Sequence, residues 1–122
     1  MVKPPGWPAD LPAPQDPEFA ERVVGWLLDR GPAELRSSAL RKQPAALAYV
    51  IASHTEATLV GARSAYARLR TDLGGVLEPA QVESALQALE AEGARLLQVR
   101  REVDLVAQAC LAGRAVGSAD PA

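Results

Sequence analysis

Between Val82 and Cys110 the chain keeps one spacing without a break: Val82, Leu86, Leu89, Gly93, Leu96, Arg100, Val103, Ala107 and Cys110 follow each other at alternating steps of four and three. That alternation puts one residue per turn on a single face of an α-helix for four heptads, as in coiled coils. A helix of this length cannot bury its stripe against itself, so a second long element must lie along it.

The second element is legible just upstream. Pro44 suits a first helical position, and "PAALAYVIASHTEATLVGARSAYARLRTDL" runs without a breaker to Leu73, before Gly74 and Gly75. Leu47, Ile51, His54, Thr58, Gly61, Ala65, Arg68 and Asp72 repeat the four-three alternation here, with smaller side chains. A third helix should start near Pro79, with Glu78 as its cap, and end near Ala112. Two helices of about 30 residues, each about 45 Å long, joined by a handful of residues, predict an antiparallel hairpin over 44–73 and 79–112.

A fold back at Gly74 and Gly75 sets Gly61 level with Gly93, which would let the backbones approach closely. It also sets His54 level with Arg100, a polar layer in the seam that would fix register. Arg63, Arg68 and Arg70 then run beside Glu83, Glu90 and Glu92. Tyr49, Leu59, Val60 and Tyr66 are left on a neighbouring stripe as a candidate interface.

Upstream, Asp16 and Pro17 mark a helix start, with Glu18 and Glu21 complementing its positive end, and Gly31-Pro32 a stop. Phe19, Val23, Trp26 and Leu27 fall on one face of this short helix over 17–30, which should pack on the hairpin, with Trp26 as a structural anchor. "PAELRSSALRKQ" reads as a turn and connector anchored by Leu35 and Leu40. Residues 1–16 hold Pro4, Pro5, Pro8, Pro12 and Pro14, so an extended arm is expected. Either Trp7 and Leu11 tuck this arm onto the bundle, or it is a polyproline ligand for another protein. Residues 17–113 form one all-α helical domain, and 114–122 a flexible tail.

Composition agrees with helices that pack closely around little aromatic bulk: 48% of residues are hydrophobic, 4% aromatic, and 24 are alanine. The formal net charge of −2 argues against affinity of the whole molecule for nucleic acid. No apolar run approaches a membrane span, and the first ten residues lack the apolar core of a secretory signal; a cytoplasmic location is expected. The alanine, arginine and proline bias suggests a bacterial genome rich in G and C.

Catalytic constellations are hard to build from these residues. His54 is the single histidine and Cys110 the single cysteine, so neither a serine triad nor a four-ligand metal site is expected, and no phosphate-binding loop is spelled out. No cofactor is called for. One cluster stands out: Arg36, Arg41 and Lys42 precede the second helix, and the register brings Arg114 to the same end. It could hold nucleic acid or another anionic partner, or its cations could simply pair with Glu34, Asp29 and the end of the third helix. The reading the sequence favours is a non-enzymatic protein-interaction or scaffold module, self-associating as a homodimer.

Overall fold

A computed structural model describes residues 2–119, with side chains described over 2–113. The described residues are helical, without strands: α1 spans Phe19–Leu28, two 3-10 turns follow at Ala33–Ser37 and Ala39–Lys42, and α2 (Pro44–Leu73) and α3 (Pro79–Ala119) are two long helices packed closely together. Ion pairs at Arg70–Glu83 (2.8 Å) and Arg100–Glu56 (2.7 Å) join α2 to α3. The α2 partner's number rises as the α3 partner's falls, so the two helices run in opposite directions.

Local chemistry accounts for the ends of these helices. Asp16 Oδ1 accepts from the Glu18 amide (2.9 Å) ahead of α1, satisfying one of the donors a helix start leaves free. Pro44 and Pro79 occupy first positions of α2 and α3, where a missing N–H costs nothing. At Glu78 the backbone amide donates to Gln81 Oε1 (2.9 Å), half of a capping box. The turn between α2 and α3 closes through Val76 and Leu77 amides on the Leu73 carbonyl (2.9 Å each), and Gly74 keeps a right-handed φ of −61°. Gly113 does not end α3 as the sequence suggested. The helix continues to Ala119, because an interior glycine costs only about 1 kcal/mol when nothing else breaks the pattern. Part of the expected tail is therefore helical, and residues 120–122 lie outside the described residues.

All nine residues of the α3 stripe are buried or half-buried. On α2 the expected stripe holds only at its start: Leu47 and Ile51 are buried, with Ala48 beside them. Beyond Ile51 the inward face runs through Thr55 and Leu59, then the half-buried Ala62 and Leu69, about one residue, roughly 100°, round from the expected one. Three expectations fall with that rotation. His54 is exposed, so there is no buried His54–Arg100 layer, and Arg100 pairs with Glu56 instead. Gly61 is exposed and Gly93 half-buried, and a Cβ built on either would touch nothing, so they do not mark a close approach. Leu59 is 1% exposed and belongs to the seam, not to an outer stripe.

The charge ladder is also only partly formed. Arg70 reaches Glu83, but Arg68 pairs with Asp72 on its own helix and Glu92 with Arg95 on its own.

The main core is gathered at one end of the long pair. Trp7 and Leu11 from the arm, Val23, Trp26, Leu27 and Leu28 from α1, Leu47, Ala48 and Ile51 from α2, and Val103, Val106 and Ala107 from α3 form one buried cluster. Leu35 and Leu40 of the connector pack against it, as their spacing suggested. The arm is docked, with Trp7, Pro8, Leu11 and Ala13 buried. It is folded into successive turns rather than extended, through Trp7 N to Pro4 O (3.0 Å), Leu11 N to Pro8 O (3.4 Å) and Asp16 N to Ala13 O (3.0 Å). One of its turns uses Gly6, at a φ of 78° that other residues rarely adopt. Gly31 is a genuine close approach: a Cβ there would lie 2.8 Å from Ile51 Cδ1, inside the core.

Beyond this head the pair is thinner. From Val60 to Leu73 no residue of α2 is buried, whereas Val82 and Leu86 opposite, on α3, are.

These contrasts predict opposite outcomes for one substitution type. Gly31→Ala should cost about 1–3 kcal/mol by overpacking against Ile51, while Gly61→Ala should be neutral or stabilise by up to about 1 kcal/mol through helix propensity. Urea unfolding at low protein concentration measures both. Destabilisation by Gly61→Ala of the same size as Gly31→Ala would restore Gly61 to the helix contact.

Candidate functional site

α1 meets the head ends of α2 and α3 where all three present small side chains: Ala20, then Ala45 and Ala46, then Ala109 and Gly113. Small residues at a three-helix junction leave space between backbones. An open groove of about 850 Å³ results, with Phe19, Val23, Val50 and Cys110 among its walls and Tyr49 and Leu111 at its edges. Tyr49 is 66% exposed and Leu111 48%. Cys110 is half-buried, and burial pushes its thiol up from the ordinary cysteine value. A thiol kept protonated is a packing group and a poor nucleophile.

The groove is apolar with a cationic lip. Among the described residues Lys42 is the one charged side chain in its lining, which holds no carboxylate. Arg41 precedes Lys42, both are exposed, and neither makes an ion pair among the described residues. Arg36, expected in the same cluster, is held by Asp29 (2.8 Å). Arg114 is within α3, and its side chain lies outside the described ones. Of the predicted cluster, Arg41 and Lys42 are the described cations without an ion pair, and Lys42 lines an apolar groove that sequence reasoning did not foresee.

The expected interface stripe divides. Tyr49 borders the groove; Val60, 55% exposed, is on the outer surface; Tyr66, 41% exposed, is at the edge of the thin part of the pair; and Leu59 is interior. Adjacent residues on a helix are about 100° apart, so Leu59 and Val60 cannot share one face.

His54 lines a smaller depression of about 270 Å³ with Thr58, Asp29 and Arg95. The Thr58 hydroxyl donates to the His54 carbonyl (2.9 Å) and is committed to the helix. Among the described residues no three His, Cys, Asp or Glu side chains assemble into a group that could hold a metal ion, and no helix is long and apolar enough to cross a membrane.

A polar clip ties the arm to α1. Trp26 Nε1 donates to Asp10 Oδ1 (2.9 Å), Arg30 Nη2 donates to Asp10 Oδ2 (3.0 Å), and Arg30 Nη1 donates to the Trp26 carbonyl (2.9 Å). The Arg30 guanidinium also stacks 3.7 Å above the Trp26 ring. In the arm, Trp7 Nε1 reaches the Leu11 and Pro12 carbonyls (3.1 Å each), and its ring lies 5.9 Å from that of Phe19. Both indoles thus bury their rings and satisfy their N–H groups. The clip sets the angle at which α1 and the arm enter the head, and Phe19 of α1 forms one groove wall.

Comparison with known proteins finds no matching family model, no similar curated protein and no similar solved structure.

The clip gives a pH dependence of definite sign. The indole N–H of Trp26 above all, opposed by burial and helped by Arg30, holds the Asp10 carboxyl below its ordinary value. A carboxylate with a lowered folded-state pKa contributes stability that is present above its unfolded value and is lost as pH falls through the folded one. Asp10→Asn should therefore lower Tm at neutral pH by roughly 2–5 °C, given the partial solvent screening of the pair. The two melting curves should converge below about pH 4. A constant gap between pH 7 and pH 3 would mean that the Asp10 charge adds nothing.

Proposed function

We propose that the chain is a non-enzymatic protein-interaction module whose long helices work as a coiled-coil-like antiparallel hairpin, and that its first partner is a second copy of itself. One observation carries the reading: past Leu59 no residue of α2 is buried, although the hairpin continues for about four more turns. Tyr66, Leu73 and Val76 are 41%, 38% and 76% exposed there, and Leu69 is half-buried. Two helices form one layer of contact; a four-helix arrangement encloses both stripes.

Charge favours a second copy as the cover. The outer half of α2 carries Arg63, Arg68 and Arg70 against Asp72, and the outer part of α3 carries Glu83, Glu90 and Glu92 ahead of Arg95. Arg63 and Glu90 make no ion pair among the described residues. A two-fold copy laid along the hairpin brings the basic helix of each chain to the acidic helix of the other, and a two-fold interface is self-complementary in this way.

The other reading, a nucleic-acid or anionic partner held by the basic cluster, has Arg41 and Lys42 in its favour. With Arg36 paired to Asp29, the two cations left free among the described residues give little of the phosphate neutralisation that such binding depends on.

Light scattering over a range of concentration should give twice the 12.9 kDa chain mass, falling toward one chain on dilution and on substitution of Leu69→Glu or Tyr66→Glu. A single-chain mass at every concentration would refute self-association. Dimers that persist unchanged in both variants would move the interface away from the outer half.

A further inference from the structure

We infer that the groove at the head is a docking site for a short amphipathic helical segment of another protein that carries Asp or Glu beside its apolar face. This site is separate from the outer half of the hairpin, and the inference does not rest on self-association.

The argument starts from what the groove lacks. Ala20, Ala46, Ala109 and Gly113 leave about 850 Å³ unfilled between three helices, in the size range of ligand sites. The wall is apolar, so an occupant supplies apolar side chains to gain the transfer free energy of burial. Phe19, Val23, Val50 and Cys110 stand ready to receive them.

Charge selects among apolar occupants. Lys42 is on the groove and Arg41 precedes it in the chain, both without an ion pair among the described residues, and no carboxylate lines the groove among the described residues. A segment bearing an acidic side chain at that end completes the pairing, and a basic segment meets like charge. Tyr49, with its ring mostly exposed at the edge, offers the large amphipathic contact that concentrates binding energy in interfaces.

The openness of the groove selects a peptide over a lipid chain. An acyl chain in an open groove leaves its outer side in water. An amphipathic helix brings its own polar outer face, with apolar anchors one turn apart along the groove.

Selection of a random-peptide display library on the full-length chain tests the proposal, at protein concentrations where the chain is monomeric. The expected outcome is an enriched consensus with apolar residues at helical spacing and an Asp or Glu at one end. A synthetic peptide of that consensus should perturb the backbone resonances of Ala46, Tyr49, Val50 and Ala109. Its affinity should fall about ten-fold in Lys42→Glu, a change at an exposed site, and be lost in Ala46→Phe, which fills the groove. Thermal melts confirm that both variants remain folded.

The proposal is overturned if no consensus emerges, if the consensus is basic, or if peptides bind both variants as well as the parent. It is likewise overturned if the perturbed resonances lie between residues 60 and 95, or if oleate saturates the groove while no peptide does. A parent chain that stays monomeric at every concentration yet binds the peptide would count against self-association alone.

Discussion

Everything in this molecule depends on where the first thirty residues press against the long pair. Three of the five aromatic side chains, Trp7, Phe19 and Trp26, are in that stretch. With Leu11, Leu27 and Leu28 they supply bulk that the alanine-rich long helices lack. Aromatic rings bury large areas with few rotatable bonds, so a few of them can anchor a core that Ala and Val alone would leave thin. Leu47, Ile51, Val103 and Val106 are buried under that cover. Beyond it α2 buries only Thr55 and Leu59 before its burial ends.

The head therefore has two jobs in one piece of chain. Its aromatic and leucine side chains close the core, and the small residues left at its edge create the groove. Asp10, Trp26 and Arg30 connect these jobs, since they fix the entry of α1, and α1 carries Phe19, Ala20 and Val23 into the groove wall. The thin outer half and the groove are then two surfaces with different chemistry. One is mixed in charge; the other is apolar with a cationic lip.

The sequence was most legible where its periodicity was strongest. The α3 stripe from Val82 to Cys110 is turned inward throughout, and the helix starts at Pro44 and Pro79 follow from proline chemistry. α2 was harder because Ile51 belongs to two overlapping tracks, one through His54 and Thr58, the other through Thr55 and Leu59. Hydrogen bonding separates them. Thr55 can be buried cheaply, since its hydroxyl donates to the Ile51 carbonyl (2.8 Å) within its own helix. A buried His54 would need partners for two ring nitrogens across the seam.

The arm and the groove left weaker traces. Trp7 and Leu11 suggested docking, but the pairing of Asp10 with residues of α1 spans an irregular segment that has no period to read. Four-residue spacing of Trp26 and Arg30 was the available signal, being the spacing at which side chains stack on a helix. The groove arises from the coincidence of small residues on three separate helices, and no one-dimensional pattern records it. Gly113 misled for a different reason: the glycine permits a stop without requiring one.

Hydrogen exchange followed residue by residue at two protein concentrations tests most directly the claim that the core sits at one end and that the other end is covered by a second copy. In dilute protein, amides from 47 to 59 and from 96 to 107 should exchange far more slowly than those from 60 to 95. Protection of the latter should rise with concentration while the former stay unchanged. Equal protection along both helices, independent of concentration, would contradict the account.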